Sequence, residues 1–187
     1  MFSPRVGTCR LLLAQARSGL LRALCREASE SAALRRAAAI AASATPLVDP
    51  LQRILEVALP VLPADHVVLL HASTDRTESV ILAAAGTADV WRWLRAPLKP
   101  GLAARAIETG EPQFVSDVIG DGARSAGSSM RSVLVVPVIL RSTVFGVLEI
   151  TDEHGRLTRR HVTLLRAFAD QCAIAIDNLR SDKSART

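Results

Sequence analysis

Apolar and polar residues alternate in two different rhythms along the chain. Leu34, Ala37, Ala38, Ile40 and Ala41 recur at helical spacing, and the pattern ends before Pro46. Asp49-Pro50 then opens a second helix, since Asp caps an N-terminus and Pro suits a first turn. Ile54, Leu55, Ala58 and Leu59 form its apolar stripe, and Pro60 and Pro63 end it. The rhythm changes at His66–Ser73 (HVVLLHAS), which reads as a strand. A polar turn, STDRTE, leads into Ser79–Gly86 (SVILAAAG), and the two strands predict a hairpin.

Trp91 and Trp93 follow in an irregular stretch, and Pro97–Gly101 reads as a turn. Leu102–Thr109 predicts a short helix closed by Gly110. Glu111–Val115 is a short strand, and Ser116–Met130 is a Gly/Ser-rich loop. Arg131–Leu140 and Thr143–Thr151 predict a second hairpin turned at Arg141-Ser142. Leu157–Arg180 predicts the closing helix, with Leu165, Phe168, Cys172, Ala175, Ile176 and Leu179 on its apolar stripe. Hairpins with segregated helices imply an α+β fold with an antiparallel sheet.

Charge divides the chain unequally. The 187 residues carry a net +5, and residues 1–45 hold seven Arg against Glu27 and Glu30. Residues 46–187 balance 16 basic with 16 acidic side chains, so the main domain is not a basic nucleic-acid surface. Residues 1–30 are expected as a basic arm, poorly ordered or helical. They resemble an organelle presequence, although a plain helix or an overlong start site explains them more simply. Residues 181–187 are expected as a disordered tail. Arginine outnumbers lysine 21 to 2, and there are 30 alanines and one asparagine. That bias points to a GC-rich, bacterial coding sequence. The longest apolar run, Val133–Leu140, is far short of the roughly 20 residues a spanning helix needs, so no membrane association is expected. The expected location is the cytoplasm.

The chemistry-bearing residues are dispersed. Cys9, Cys25 and Cys172 form no pairable framework, and His66, His71, His154 and His161 form no metal-ligand spacing. Phosphate-loop, dinucleotide, zinc-protease and serine-hydrolase motifs are absent from the sequence. No cofactor is expected.

Four blocks in order carry a family likeness: LQRILEVALPVLPADHVVLLHAS, PGLAARAIETGEPQFVSDV, MRSVLVVPVILRSTVFGVLEIT and GRLTRRHVTLLRAFADQCAIAIDNLR. Over residues 32–180 the chain resembles the GAF domain family of small-molecule sensor modules. The resemblance implies a central antiparallel sheet of five or six strands. Terminal helices (residues 31–45 and 158–180) would cover one face. The short helix and loops would cover the other, where relatives bind ligands. It also implies a regulatory role in signal transduction rather than catalysis. With no output domain after Arg180, the signal is expected to pass through a homodimer of the terminal helices or a separate effector. Two alternatives remain: an enzyme of the free methionine sulfoxide reductase type, and a ligand-free interaction module. The pattern that accompanies cyclic nucleotide binding in relatives is missing at Ile150, Thr151, Leu157, His161 and Val162.

Six residues are the candidates for ligand contact. Glu149 interrupts an apolar strand, where it would recognise a cationic or hydrogen-bonding group if it faced the covered side. It would simply reach water if it lay at the strand end. Arg131 would clamp a carboxylate or phosphate, or stand solvated. Phe114 would wall the pocket or pack in the core. Trp93 would stack on a planar ligand, or pack under the short helix as Trp91 would. Ser129 would donate a hydrogen bond, and Asp117 would contact ligand or cap a turn. His71 would face the pocket or, as a strand-end histidine, more simply meet water.

Overall fold

The computed structural model describes residues 5–43, 49–86, 95–118 and 130–185. Eight-residue and longer helices are α1 (Arg5–Ala42), α2 (Pro50–Ala58), α3 (Leu102–Thr109) and α4 (His161–Ala185). The strands are β1 (His66–Ala72), β2 (Glu78–Gly86), β3 (Arg95–Pro97), β4 (Gln113–Val115), β5 (Ser132–Leu140) and β6 (Thr143–Asp152). They form one open six-stranded sheet in the order β3-β2-β1-β6-β5-β4, and every described pairing is antiparallel. The α+β architecture follows the sequence pattern.

Strand parity divides the sheet into two unlike faces. Val67, Leu69, Leu134, Val136, Leu148 and Ile150 point to one side, where they pack with α1, α2 and α4 in the main core. From α4 that core receives Leu165, Phe168, Cys172 and Ile176, all at or below 5% exposure. From α1 it receives Ala33, Ala37, Ile40 and Ala41. The alanines let α1 approach closely, and the Asn178 side-chain amide ties α4 to the Ala41 carbonyl at 2.9 Å. The opposite face carries Ala72, Val133, Val135 and Val147 under Ala106 and Ile107 of α3.

Several local devices make this arrangement possible. Asp49 caps α2, its Oδ1 accepting from the Leu51 N–H at 3.0 Å, with Pro50 at the first helical position. Gly110 ends α3 at φ 68°, a left-handed conformation that favours glycine. The side-chain amide of Gln52 pairs with both the N–H and the carbonyl of Ala84, at 3.3 and 2.8 Å. That covers β2 beyond the short β3, whose pairing reaches only Val80. Pro137 lies beyond β4, which ends opposite Val135, so its missing N–H interrupts no described pairing on that side.

Three boundaries differ from expectation. The basic arm and the first flanking helix are a single helix, because residues 5–42 contain no proline and no strong breaker besides Gly7 and Gly19. α4 continues to Ala185 through the stretch expected as a tail, since Ser181–Ala185 likewise holds no breaker. Arg95–Pro97, read partly as turn, pairs with Glu78–Val80 as an edge strand.

Gly146 lies where β6 crosses against β1. A Cβ there would come within 2.0 Å of the Leu70 carbonyl oxygen. Backbone, not a flexible side chain, fills the space, so the strands must separate to admit a methyl group. Gly146→Ala is therefore expected to lower unfolding free energy by roughly 1–3 kcal/mol or more. Urea denaturation checks this, and an unchanged midpoint would refute the close approach.

Candidate functional site

β6 carries Glu149 between Leu148 and Ile150, two residues of the helix-side core. Alternation therefore turns Glu149 to the opposite face, beneath which no long helix lies. Its direct cross-strand neighbours are Val68 on β1 and Val135 on β5. Val68 belongs to a small apolar cluster with Ile81 and Ala84. Val135 belongs to the α3-covered cluster with Val147 and Ile107. A carboxylate thus stands at the seam between two apolar groups.

The electrostatics follow from that placement. Glu149 is half-buried, and burial pushes its pKa from 4.5 up to about 7. No cation or hydrogen-bond donor among the described residues offsets the loss of water. His66 shares this face. It sits opposite Thr151, shares a buried hydrogen bond with the Thr151 hydroxyl, and lies diagonal to Glu149. Diagonal positions are about 7–8 Å apart, within reach of one small ligand. Burial holds the His66 imidazole below its ordinary pKa, against the opposing pull of Asp65 and Glu153. The neutral ring adds no cation to this face.

Among the described residues, the other candidates do not join Glu149. Phe114 is a correction: it pairs with Leu134 and packs into the helix-side core, on the face away from Glu149. A three-residue strand has too short an alternation to show its parity; only the pairing with β5 fixes it. Arg131 is exposed, and its side chain lies along Gly155, within 3.3 Å of the position a Cβ would take there. It packs on the turn after β6 instead of clamping a ligand beside Glu149. Asp117 is exposed just beyond β4. Trp93 and Ser129, with Trp91, lie outside the described residues. His71 is also a correction. It follows Leu69 in parity and stacks on Phe145 on the helix side, whereas His66 takes the other face.

Two further groups bear on chemistry. Asp65, Asp152 and His154 bring ligand atoms within 4.8 Å of one another. Arg156 occupies the space between the carboxylates, its Nε 2.6 Å from Asp152 and its Nη2 3.0 Å from Asp65. Burial would raise the Asp152 pKa, but hydrogen bonds from the Arg156 backbone and side chain, with its charge, hold it below the usual value. This cluster is a clamp between the residue before β1, the end of β6 and the loop before α4, with Arg156 bridging both carboxylates. Cys172 lies fully buried in the helix-side core, where burial pushes its thiol up to about 12. It is protonated at neutral pH and is not a nucleophile.

An open antiparallel sheet with α1, α2 and α4 on one face and the short α3 on the other defines the class of fold. The GAF domain family model matches residues 44–177. The chain belongs to the GAF domain family, whose members are generally regulatory sensors. The GAF domain of an Acinetobacter phosphoenolpyruvate-protein phosphotransferase is similar at 19% identity and TM-score 0.68, covering 80% of this chain and 93% of that one. A putative GAF sensor protein from Burkholderia vietnamiensis is similar at 18% identity and TM-score 0.69, with coverages of 83% and 98%. Free methionine-R-sulfoxide reductase from Neisseria meningitidis, in complex with its substrate, is similar at 23% identity and TM-score 0.69, with coverages of 82% and 91%. These likenesses show the fold. No curated protein matches the chain. Among the described residues no helix is long and apolar enough to cross a membrane.

The raised Glu149 pKa sets a pH dependence. Between the unfolded value near 4.5 and the folded value of about 7, the folded state holds a proton that the unfolded state has lost. Stability therefore falls as pH rises through that window. Glu149→Gln removes the penalty. We expect the variant to exceed the native chain in stability by up to about 3 kcal/mol at pH 8 and to match it near pH 4. Equal stabilities in chemical denaturation at both pH values would refute the assignment.

Proposed function

We propose that the chain is a regulatory sensor that binds a small cationic or hydrogen-bond-donating molecule at Glu149. The observation that supports this is a half-buried carboxylate between two apolar clusters, with no partner among the described residues. An ammonium or amide donor on the ligand would supply the partner that no described residue provides. The valines on either side would hold the ligand's apolar portion. The reductase alternative gains nothing from Cys172, whose thiol lies across the sheet from Glu149.

Transmission to the helices follows from strand parity. Leu148 and Ile150 flank Glu149 in sequence and sit in the core beneath α1 and α4. A ligand that shifts β6 must move residues packed against those helices, which is a population shift between two packings. The receiving partner is proposed to be a second copy of this chain. Leu20, Leu21 and Leu24 of α1 are 62%, 61% and 52% exposed. A helix of 38 residues extends about 57 Å, and its apolar exposed part is of a kind that pairs with another helix.

A ligand cation must drive off the Glu149 proton, so affinity should rise with pH and level off above about 7. Native mass spectrometry of freshly purified protein should detect a co-purifying small molecule. Glu149→Gln should lose it, while denaturation shows the variant folded. Retention of the same molecule by the variant would refute the site.

Light scattering tests the partner. The full chain should be a dimer at high micromolar concentration, and the Leu20→Glu/Leu24→Glu double substitution should be a monomer. A monomeric native chain would refute pairing through α1.

A further inference from the structure

A recess of about 240 Å³ opens at the far end of the β1–β6 pair. Its pairing of His71 with Gly146 lies three residues along the ladder from Val68 and Glu149, or about 10 Å. The recess wraps the end of the sheet, with Ile107 reaching it from the α3 side and Leu140 and Phe145 from the helix side, and Glu149 does not line it.

Its lining has a definite chemistry. Ile107, Leu140 and Phe145 give apolar surface, while Arg76 and Arg180 bring two cations. No carboxylate lines it among the described residues. Two of the nearby described acids hold other partners. Asp75 accepts from the Ser73 hydroxyl at 2.6 Å and the Thr77 N–H at 3.2 Å. Asp177 pairs with Arg141 at 2.7 Å. Glu108 lines the adjoining cavity, which shares Arg76 and Ile107 with this one. His71 adds a directional group. Its Nδ1 lies 2.8 Å from the Phe145 carbonyl oxygen, which can only accept, so Nδ1 carries the hydrogen. Its ring stacks on Phe145 at 4.1 Å, and the Arg180 guanidinium lies 4.9 Å from the Phe145 centroid.

We propose that this recess binds a small organic anion, a carboxylate or phosphate monoester with an apolar body, held between Arg76 and Arg180. The apolar body would rest on Phe145, Leu140 and Ile107. Guanidinium groups suit both oxyanions, because their fixed donors match two oxygens at once. Arg76 belongs to the β1–β2 turn and Arg180 to the C-terminal part of α4. An anion that bridges them fastens the turn to the helix that packs on α1. The recess would then be a second effector site acting on the same helices as Glu149.

The test is an NMR titration of the full chain with phenyl phosphate and with benzoate. Phenol is the uncharged control and inorganic phosphate the control without an apolar body. Shifts should centre on residues 71–76 and 143–145, with binding stronger for at least one organic anion than for either control. The preferred anion distinguishes phosphate from carboxylate. Arg76 has φ 58°, a left-handed conformation that asparagine accepts well. Arg76→Asn should keep the melting temperature and weaken binding at least tenfold. Arg180→Gln should weaken it comparably, and Glu149→Gln should leave it unchanged. The proposal is overturned if millimolar phenyl phosphate and benzoate produce no shifts there. It is equally overturned if phenol binds as well as the anions, or if Arg76→Asn binds like the native chain.

Discussion

A sheet whose central strands are apolar on both faces must be covered twice, and here the two covers are unequal. β5 is buried along seven successive residues from Ser132 to Val138. Three helices, two of them long, seal one face with Leu165, Phe168, Cys172 and the alanines of α1. The other face has the eight-residue α3, which accounts for Ala106 and Ile107 over Val133, Val135 and Val147. This second face is where an incompletely hydrated carboxylate persists. The asymmetry therefore produces both the stability of the fold and the chemistry of its candidate site.

Glu149 is costly to the protein. Its ionised form loses water and gains no described partner, so the folded state would be more stable near neutral pH without it. The comparison with Asp152 makes the point. Asp152 is also buried, yet Arg156 and the Ser132 hydroxyl donate to it, and its pKa falls. One carboxylate is completed by the fold, and the other gains no partner among the described residues. Strand parity then couples the second to α1 and α4, because Leu148 and Ile150 cannot move independently of Glu149.

Much of the fold was legible in local pattern. The Asp49-Pro50 cap, the β5–β6 hairpin at Arg141-Ser142 and the α4 stripe each declare themselves within a few residues. Glu149 stood out as a charge inside an apolar run. What escaped was set by contacts between distant segments. Phe114 lies on a strand of three residues, and its face depends on the register with Leu134. The Arg156 clamp needs Asp65, 91 residues away, and the Gln52 amide reaches Ala84 across 32. His66 and Thr151 meet only because β1 and β6 pair. The continuity of α1 was hidden by the change in charge near residue 30, which carries no structural break.

The most direct measurement is a carboxyl-carbon NMR titration that follows Glu149 in the ligand-free protein. A midpoint near 7 would confirm a carboxylate starved of water and partners, the state on which the proposed recognition depends. A midpoint near the ordinary 4.5 would show the group solvated or already paired, and would contradict the account.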